Sequence, residues 1–520
     1  LTHQPVKFPK IVANLGHIHY RGNIKGRLEN MNLIGSFSSQ LGIINVNGGV
    51  QIDTTFQDIN FHGYIAGNDF QLGKLINDSD FGELSFHANM DGELDSFQLT
   101  KCIGTANIQK LQYKGYTYDS IYFDGEMQTE EVSGLLRIND ENINLTLNGL
   151  VDWSQEDTRL NIVARIDDFS PAATHLTYQY PDLSINATTY VSLFTSGSTR
   201  QMLDNLTGYV IVDTLELRNA DKYASIKKME MRIDTEENNK QYYHQINIQS
   251  DFLTASLSGA YSYSSLTQSI QQMLHQYLPS LIPQTRKRHK SSNELSFYAY
   301  FRNLQPLCEV FDIGMDLPSV PTFKGYMHEK NNQLNLQAYI PNINTNGAQM
   351  ENLTLAIDNM NDQLSISAHV FNRLPKENPT AAKIGDVKAD IQLLAAHDKI
   401  NTTIQLENTD SVQNEGTIRL SSHIMQYANK PLISTHIQPT TIILNDSTWT
   451  IDEANIVYNA SEQRLDIHDF SLNTNYQMIA ANGSASKYAT DSINVELRNI
   501  DVQYLLSYTL ASEALSVQGP

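Results

Sequence analysis

The residues of this 520-residue chain that could carry metal or acid–base chemistry are its histidines, its two cysteines and its carboxylates. The tightest histidine pair, His17-Ile18-His19, would put both imidazoles on one face of a strand at a metal-holding separation, but a polar strand face is the simpler reading. Asn77-Asp78-Ser79-Asp80 with Gly82 has its acids at the wrong positions for a calcium loop and no closing Glu, so it reads as a polar turn. The paired carboxylates Asp167-Asp168 sit at the end of a repeat and fit a turn better than general acid/base work. Ser196-Gly197-Ser198 lacks the flanking glycines of a nucleophile elbow. Gly73-Lys74-Leu75 lacks the Ser/Thr and the earlier Gly of a phosphate loop. Cys102 and Cys308 stand far apart, with no CxxC spacing. Polar residues are spread evenly along the chain and do not converge on a pocket, so no catalytic residue, cofactor or metal is expected.

The elements that would position any site are strands. Apolar residues fall on every second position in Ile143-Asn-Leu145-Thr-Leu147, Leu160-Asn-Ile162-Val-Ala164, Leu353-Thr-Leu355-Ala-Ile357 and Ile493-Asn-Val495-Glu-Leu497. That period projects them to one face, and the Asn, Thr, Glu and Arg between them face water. Asn47-Gly48-Gly49, Asn148-Gly149 and Asn482-Gly483 break the runs and suit turns, bulges or sharp bends. The fold class expected is mostly β: an elongated, repeated antiparallel sheet with a few short helices. One helix is expected where Ile270, Met273, Leu274, Tyr277 and Leu278 form an apolar stripe, capped by Thr267 or Ser269 and closed by Pro279 and Pro283. A second, shorter one fits Phe70–Ile76. The basic run Arg286–Lys290 reads as a solvated loop.

Composition agrees with a one-faced wall. Apolar residues make up 40% of the chain; a typical globular protein has about 45–50%, which argues against a deep core. The 57 acidic against 36 basic side chains leave a net charge of −21, which excludes nucleic acid as a partner, since that affinity rests on Lys and Arg. No apolar stretch is long enough to span a membrane as a helix. The chain opens at Leu1 with no signal region, so it reads as an internal segment of a longer protein.

Self-similarity supports repetition. Asn148-Gly149 with Asp157 and Asp167 aligns with Asn482-Gly483, Asp491 and Asp501. Gly115, Tyr118, Ile121 and Phe123 align with Gly347, Met350, Leu353 and Leu355. A strand end passing into a short apolar segment recurs at Asp69-Phe70, Asp168-Phe169, Asn303-Leu304 and Asn499-Ile500. These ends suggest one growing sheet of units near 1–70, 71–169, 170–304 and 305–500, with a helix and basic-loop insertion at about 266–292 and a further unit opening at 501–520.

The runs Phe70–Ile76, Phe81–Leu84, Tyr113–Ile121, Leu135–Asp140, Leu274–Leu281 and Ile479–Gly483 resemble the AsmA/TamB superfamily, specifically the TamB-like translocation and assembly module proteins of Bacteroidota. The resemblance covers most of the chain and implies a β-taco-like groove with an apolar inside. It further implies a periplasmic location, an inner-membrane anchor outside this segment, phospholipid acyl chains as cargo between inner and outer membrane, and a BamA-like outer-membrane barrel partner. The groove-lining residues expected are Ile121, Phe123, Ile143, Leu145, Leu147, Leu160, Ile162, Leu353, Leu355, Ile357, Ile493, Val495 and Leu497. An alternative is a scaffold that assembles outer-membrane β-barrel proteins by strand augmentation.

Overall fold

The computed structural model describes residues 14–500 except 28, 54–56, 97, 155–156, 197–201, 239–240, 285–291, 346–347, 360–361, 374–385, 409–412, 445 and 489. The basic run Arg286–Lys290, Gly197, Ser198, Gly347, Asp501 and the segment 501–520 lie outside the described residues. Those described form 32 strands and three short α-helices, and the strands named below pair antiparallel, as the alternation predicts. The chain divides into two compact units. One holds Leu1–Thr235, Asn247–Asp251 and Glu309–Asp312, the other Glu236–Ile246, Phe252–Cys308 and Ile313–Pro520.

The first unit is a meander. It runs through β1 (His19–Arg27), β2 (Asn30–Ser39), β3 (Gly42–Ile52), β4 (Asp58–Gln71), helix α1 (Leu72–Ile76), β5 (Phe81–Asp95) and β6 (Gln98–Tyr113). There follow β7 (Tyr116–Tyr118), β8 (Ile121–Gln128), β9 (Glu131–Asp140), β10 (Ile143–Asp152), β11 (Asp157–Phe169), β12 (Leu183–Ser196), β13 (Thr207–Asn219), β14 (Lys222–Ile226) and β15 (Met229–Asn238). Both β7 and β8 pair with β6, and both β14 and β15 with β13, so each couple acts as one interrupted strand. β15 and β16 (Gln241–Ser250) each contribute residues to both units, as does the helix at Gln305–Val310.

The second unit continues the pattern with β17 (Leu253–Ala260), helix α2 (Tyr263–His275), β18 (Glu294–Phe301), helix α3 (Gln305–Val310), β19 (Thr322–His328), β20 (Gln333–Thr345), β21 (Ala348–Asp358) and β22 (Leu364–Arg373). Then come β23 (Val387–Ala396), β24 (Lys399–Asn408), β25 (Glu415–Tyr427), β26 (Lys430–Ile437), β27 (Thr440–Leu444), β28 (Ser447–Ile451), β29 (Ala454–Asn459), β30 (Arg464–Asn473), β31 (Met478–Ala485) and β32 (Ile493–Arg498). β26 and β27 share β25, while β28 and β29 share β30.

Bulges keep the apolar face in phase. Asp69, Asp168 and Asp469 adopt left-handed φ values of 48°, 51° and 57°, and each sits in a register shift just before a phenylalanine. The extra residue returns Phe70, Phe169 and Phe470 to the same face as Gly67, Ile166 and Ile467, which a two-residue period alone would deny them. Asp and Asn tolerate this conformation because their short side chains bond locally. Asn303 (φ 49°) and Asn499 (φ 52°) repeat it at the other two strand ends aligned in the sequence. The chain enters α1 after Asp69 and α3 after Asn303. After Asp168 it enters a turn at Ser170–Thr174 rather than a helix.

The Asn-Gly clusters are not turns. Gly48, Gly149 and Gly483 lie in mid-strand. In the first unit Gly48, Gly63, Met90, Gly104, Gly125, Gly134 and Gly149 are successive cross-strand partners, a row nearly free of side chains. At Gly134 (φ +154°) a Cβ would stand 2.5 Å from the Asp124 carbonyl oxygen and 2.7 Å from Gly125 Cα, so only glycine fits.

The expected long helix is displaced. It spans Tyr263–His275, and Tyr277 and Leu278 follow in a turn. Thr267 and Ser269, expected as caps, both lie inside the helix, which starts four residues or more earlier; the Ser269 hydroxyl bonds Glu329 (2.8 Å), and Asn293 Oδ1 holds the Ser262 amide at the true start (2.9 Å). Tyr116 donates to Asp140, which also accepts from the amides of Asp119 (3.1 Å) and Asn142 (2.9 Å).

Both the glycine row and the Asp140 cluster can be probed by substitution. Gly134→Ala is expected to cost about 1–3 kcal/mol through forced backbone movement, read as lost amide-exchange protection across β8–β10; Ser133→Ala, on the other face, should stay within about 0.5 kcal/mol of the parent. Burial, and then the bond to Asp140, pushes the Tyr116 phenol from 10.0 up to about 12. Its contribution is therefore whole below pH 10 and declines as the pH rises toward 12. The stability gap between the parent and Tyr116→Phe, measured by urea unfolding, should narrow over that window.

Candidate functional site

Register decides which side chains share a face, because directly paired residues project to the same side of the sheet. In the first unit one cross-strand row begins at Tyr20 and passes Phe37, Ile44, Gly67, Phe86 and Ile108 to Ile121. It continues through Ile138, Leu145, Ile166, Ala187 and Leu215 to Ile226. The adjoining row joins Phe123, Leu136, Leu147 and Ala164. One residue away on each strand, the opposite face reads Arg21, Ser36, Asn45, then Tyr122, Arg137, Thr146 and Arg165.

The second unit has the same organisation. Ala255, Ala299, Phe323, Ala338 and Leu355 are successive partners, followed by Ala368, Ile391, Ile404 and Ile418. A parallel row runs from Leu336 through Ile357, Ile366, Leu393, Thr402 and Leu420 to Ile437.

These ladders place the residues singled out in the sequence. Ile121, Phe123, Ile143, Leu145, Leu147, Leu160 and Ile162 occupy one face of the first unit. Leu353, Leu355 and Ile357 share a face of the second unit, where Ile493, Val495 and Leu497 pair with Gly483, Ala481 and Ile479. Ile121 is buried, Val495 and Leu497 are exposed, and the others are half-buried. Along most of its length the apolar face is thus neither sealed into a core nor fully bare. Among the described residues two clusters of buried side chains form on it, both in the second unit. Tyr277, Leu278, Leu364, Ala395 and Ile424 make one, and Ile437, Ile442, Trp449, Ile451 and Ala454 the other.

Charges occupy the other side. Lys110 Nζ bridges Asp69 (2.9 Å) and Glu83 (2.6 Å), and its hydrogen bonds hold both carboxyls below their ordinary range. On the apolar face Cys102 pairs with Met127, and burial, with Asp91 adding to it, pushes its thiol up, so it stays a neutral lining group at pH 7.

The residues weighed for chemistry do not assemble. His17 precedes β1 while His19 begins it, so the two do not share a strand face. Asp167 is paired with Arg165 (2.9 Å), and Asp168 is the bulge residue. Asn77 caps α1 in a left-handed conformation, and Gly73 lies where a Cβ would meet the Phe81 carbonyl oxygen. Among the described residues no group of three or more His, Cys, Asp or Glu could hold a metal, and no helix is long and apolar enough to cross a membrane. The arrangement offers methylene-compatible surface, continuous from strand to strand. Of the row members named above, only Tyr20 and Thr402 carry a polar side-chain atom.

Sequence reading missed two features of this surface. The aligned glycine row was signalled only by single glycines recurring in mid-strand. The cover supplied by Tyr277 and Leu278 was signalled by the apolar stripe, which showed a helix but not its target. No protein-family model matches the chain, and comparison with curated proteins gives no match.

An apolar reporter dye tests the accessibility of this face. Leu145→Asp and Leu355→Asp are expected to lower dye fluorescence several-fold, while Asn144→Asp and Thr354→Asp leave it unchanged. Equal losses from both faces would show that the dye does not read the apolar rows.

Proposed function

We propose that this chain is a non-enzymatic lipid-transfer segment that shields phospholipid acyl chains along the apolar face of its sheet. The observation that carries the reading is the unbroken apolar row from Tyr20 to Ile226, set against a polar opposite face. Monomeric proteins seldom leave so long an apolar surface without an occupant. Moving a chain of roughly a dozen methylenes into water costs on the order of 10 kcal/mol, at about 0.8 kcal/mol per CH₂. On a continuous dry strip each step exchanges one apolar contact for the next, and most of that barrier disappears. Half-burial of the lining suits such an occupant, since a closed core has no room for one.

The resemblance to TamB-like proteins supports placing this segment in the periplasm of a Gram-negative bacterium, within a longer protein anchored in the inner membrane, where it serves outer-membrane biogenesis. In that setting a BamA-like barrel is the partner at the outer membrane.

Photo-crosslinking from both faces tests the reading. Probes at Leu145 and Val495 should yield phospholipid adducts, and probes at Asn144 and Asn494 none above background, with mass spectrometry of co-purifying lipid naming the species. Lipid adducts in equal yield from the two faces would sink the proposal. Barrel-protein adducts along strand edges, with no lipid recovered, would favour the assembly-scaffold reading instead.

A further inference from the structure

Between β17 and β18 the chain leaves the sheet although the sheet does not require it. Ala260 and Glu294 are direct cross-strand partners, so the segment between them, which includes α2, closes a hairpin whose ends are already adjacent. What the excursion does is cover the apolar face of its own unit. Tyr277 and Leu278 are buried against Leu364, Ala395 and Ile424, and Leu274 and Ile282 pack on the same cluster. The covered strip also includes Ile357 and Leu393, which belong to the row running to Ile437.

The two ends of the insertion are held differently. Its base is fixed by a buried polar network. Asn293, fully buried, donates from Nδ2 to the hydroxyls of Ser265 (3.0 Å) and Ser269 (2.5 Å), and Glu329 accepts from Ser269 Oγ and from the Asn293 amide, both at 2.8 Å. Its tip, the turn that carries Tyr277 to Ile282, is held by half-buried bonds: the Tyr277 hydroxyl accepts from Nδ2 of Asn332 (3.0 Å) and of Asn359 (2.9 Å), and Ser280 and Asp398 form a latch. Asp398 accepts from the amide and the hydroxyl of Ser280, both at 2.8 Å, and the Asp398 amide donates to the Tyr277 carbonyl (3.0 Å). Breaking half-buried bonds leaves groups that water can reach, whereas breaking the buried network leaves polar groups unpaired at their full desolvation cost.

We infer that the α2 insertion is a gate: its tip and an acyl chain compete for the same strip of the second unit, and release of the Ser280–Asp398 latch admits the lipid. This rests on the lipid-transfer reading above. Tip and lipid bury the same apolar surface, so exchanging one for the other leaves no bare strip, and the anchored base returns the tip when the lipid moves on.

The test uses the full chain with Cys102→Ser and Cys308→Ser, the pair Leu278→Cys and Ala395→Cys to lock the tip, and a diazirine-bearing aliphatic residue in place of Leu393. A second preparation carries the same probe at Leu145, in the first unit, and both are mixed with phosphatidylethanolamine vesicles. With the disulfide closed, lipid adducts should be lost at Leu393 and kept at Leu145; reduction should restore them at Leu393. Asp398→Ala, without the cysteine pair, should raise labelling at Leu393 several-fold. Equal labelling of Leu393 in the locked and reduced states overturns the gate. So does a Leu393 that stays unlabelled in both states and in Asp398→Ala while Leu145 is labelled. Absence of lipid at Leu145 as well overturns the lipid-transfer reading, and the gate with it.

Discussion

The two-residue period of the pleated strand governs the rest of this structure. Every apolar residue that keeps the period falls on one side, and every hydrogen-bonded ladder carries that side unchanged to the next strand. A slip of one residue anywhere would turn a strand inside out, placing Asn and Arg against the apolar rows at a cost of several unpaired polar groups. The left-handed Asp residues before Phe70, Phe169 and Phe470 show how the chain meets this constraint. Where the strand must bend or end, one inserted residue absorbs the irregularity and the next apolar side chain is restored to its face.

A sheet built this way differs from a globular core in how its apolar surface is satisfied. In a sandwich the face is closed by a second sheet; here most lining residues stay half-buried, with buried residues such as Phe70, Ile121 and Ile226 in the first unit and two buried clusters in the second. The glycine row adds a strip where neighbouring backbones approach with almost no side chain between them. At Gly104, for example, a Cβ would stand only 2.2 Å from the Asn89 carbonyl oxygen. Such a strip lowers the floor of the apolar face. The α2 insertion fills that face in one place with the chain's own Tyr277 and Leu278.

The polar residues found by sequence reading have structural work. Asp167 neutralises Arg165, Asp168 makes a bulge, Asn77 ends a helix, and Gly73 allows a close backbone approach. The residues weighed above are spent singly, at bends and strand ends, whereas the polar groups that do cluster, around Asn293 and around Asp140, tie connecting segments to the sheet.

By itself the sequence determined the class of structure and the membership of the apolar face. The alternation in Ile143–Leu147 or Leu353–Ile357 is a local property of the strand, readable without knowing any neighbour. It also marked the recurring ends at Asp69, Asp168, Asn303 and Asn499, though not their left-handed backbone, which only the structure shows. Only the tertiary structure decided that Asn47-Gly48-Gly49 is no turn, that glycines from separate strands fall in one row, and that the stripe of α2 closes on Leu364, Ala395 and Ile424. Those outcomes depend on cross-strand register and on packing between segments far apart in the chain. Such contacts are set by ladders and shape fit, and no window of residues along the sequence contains both partners.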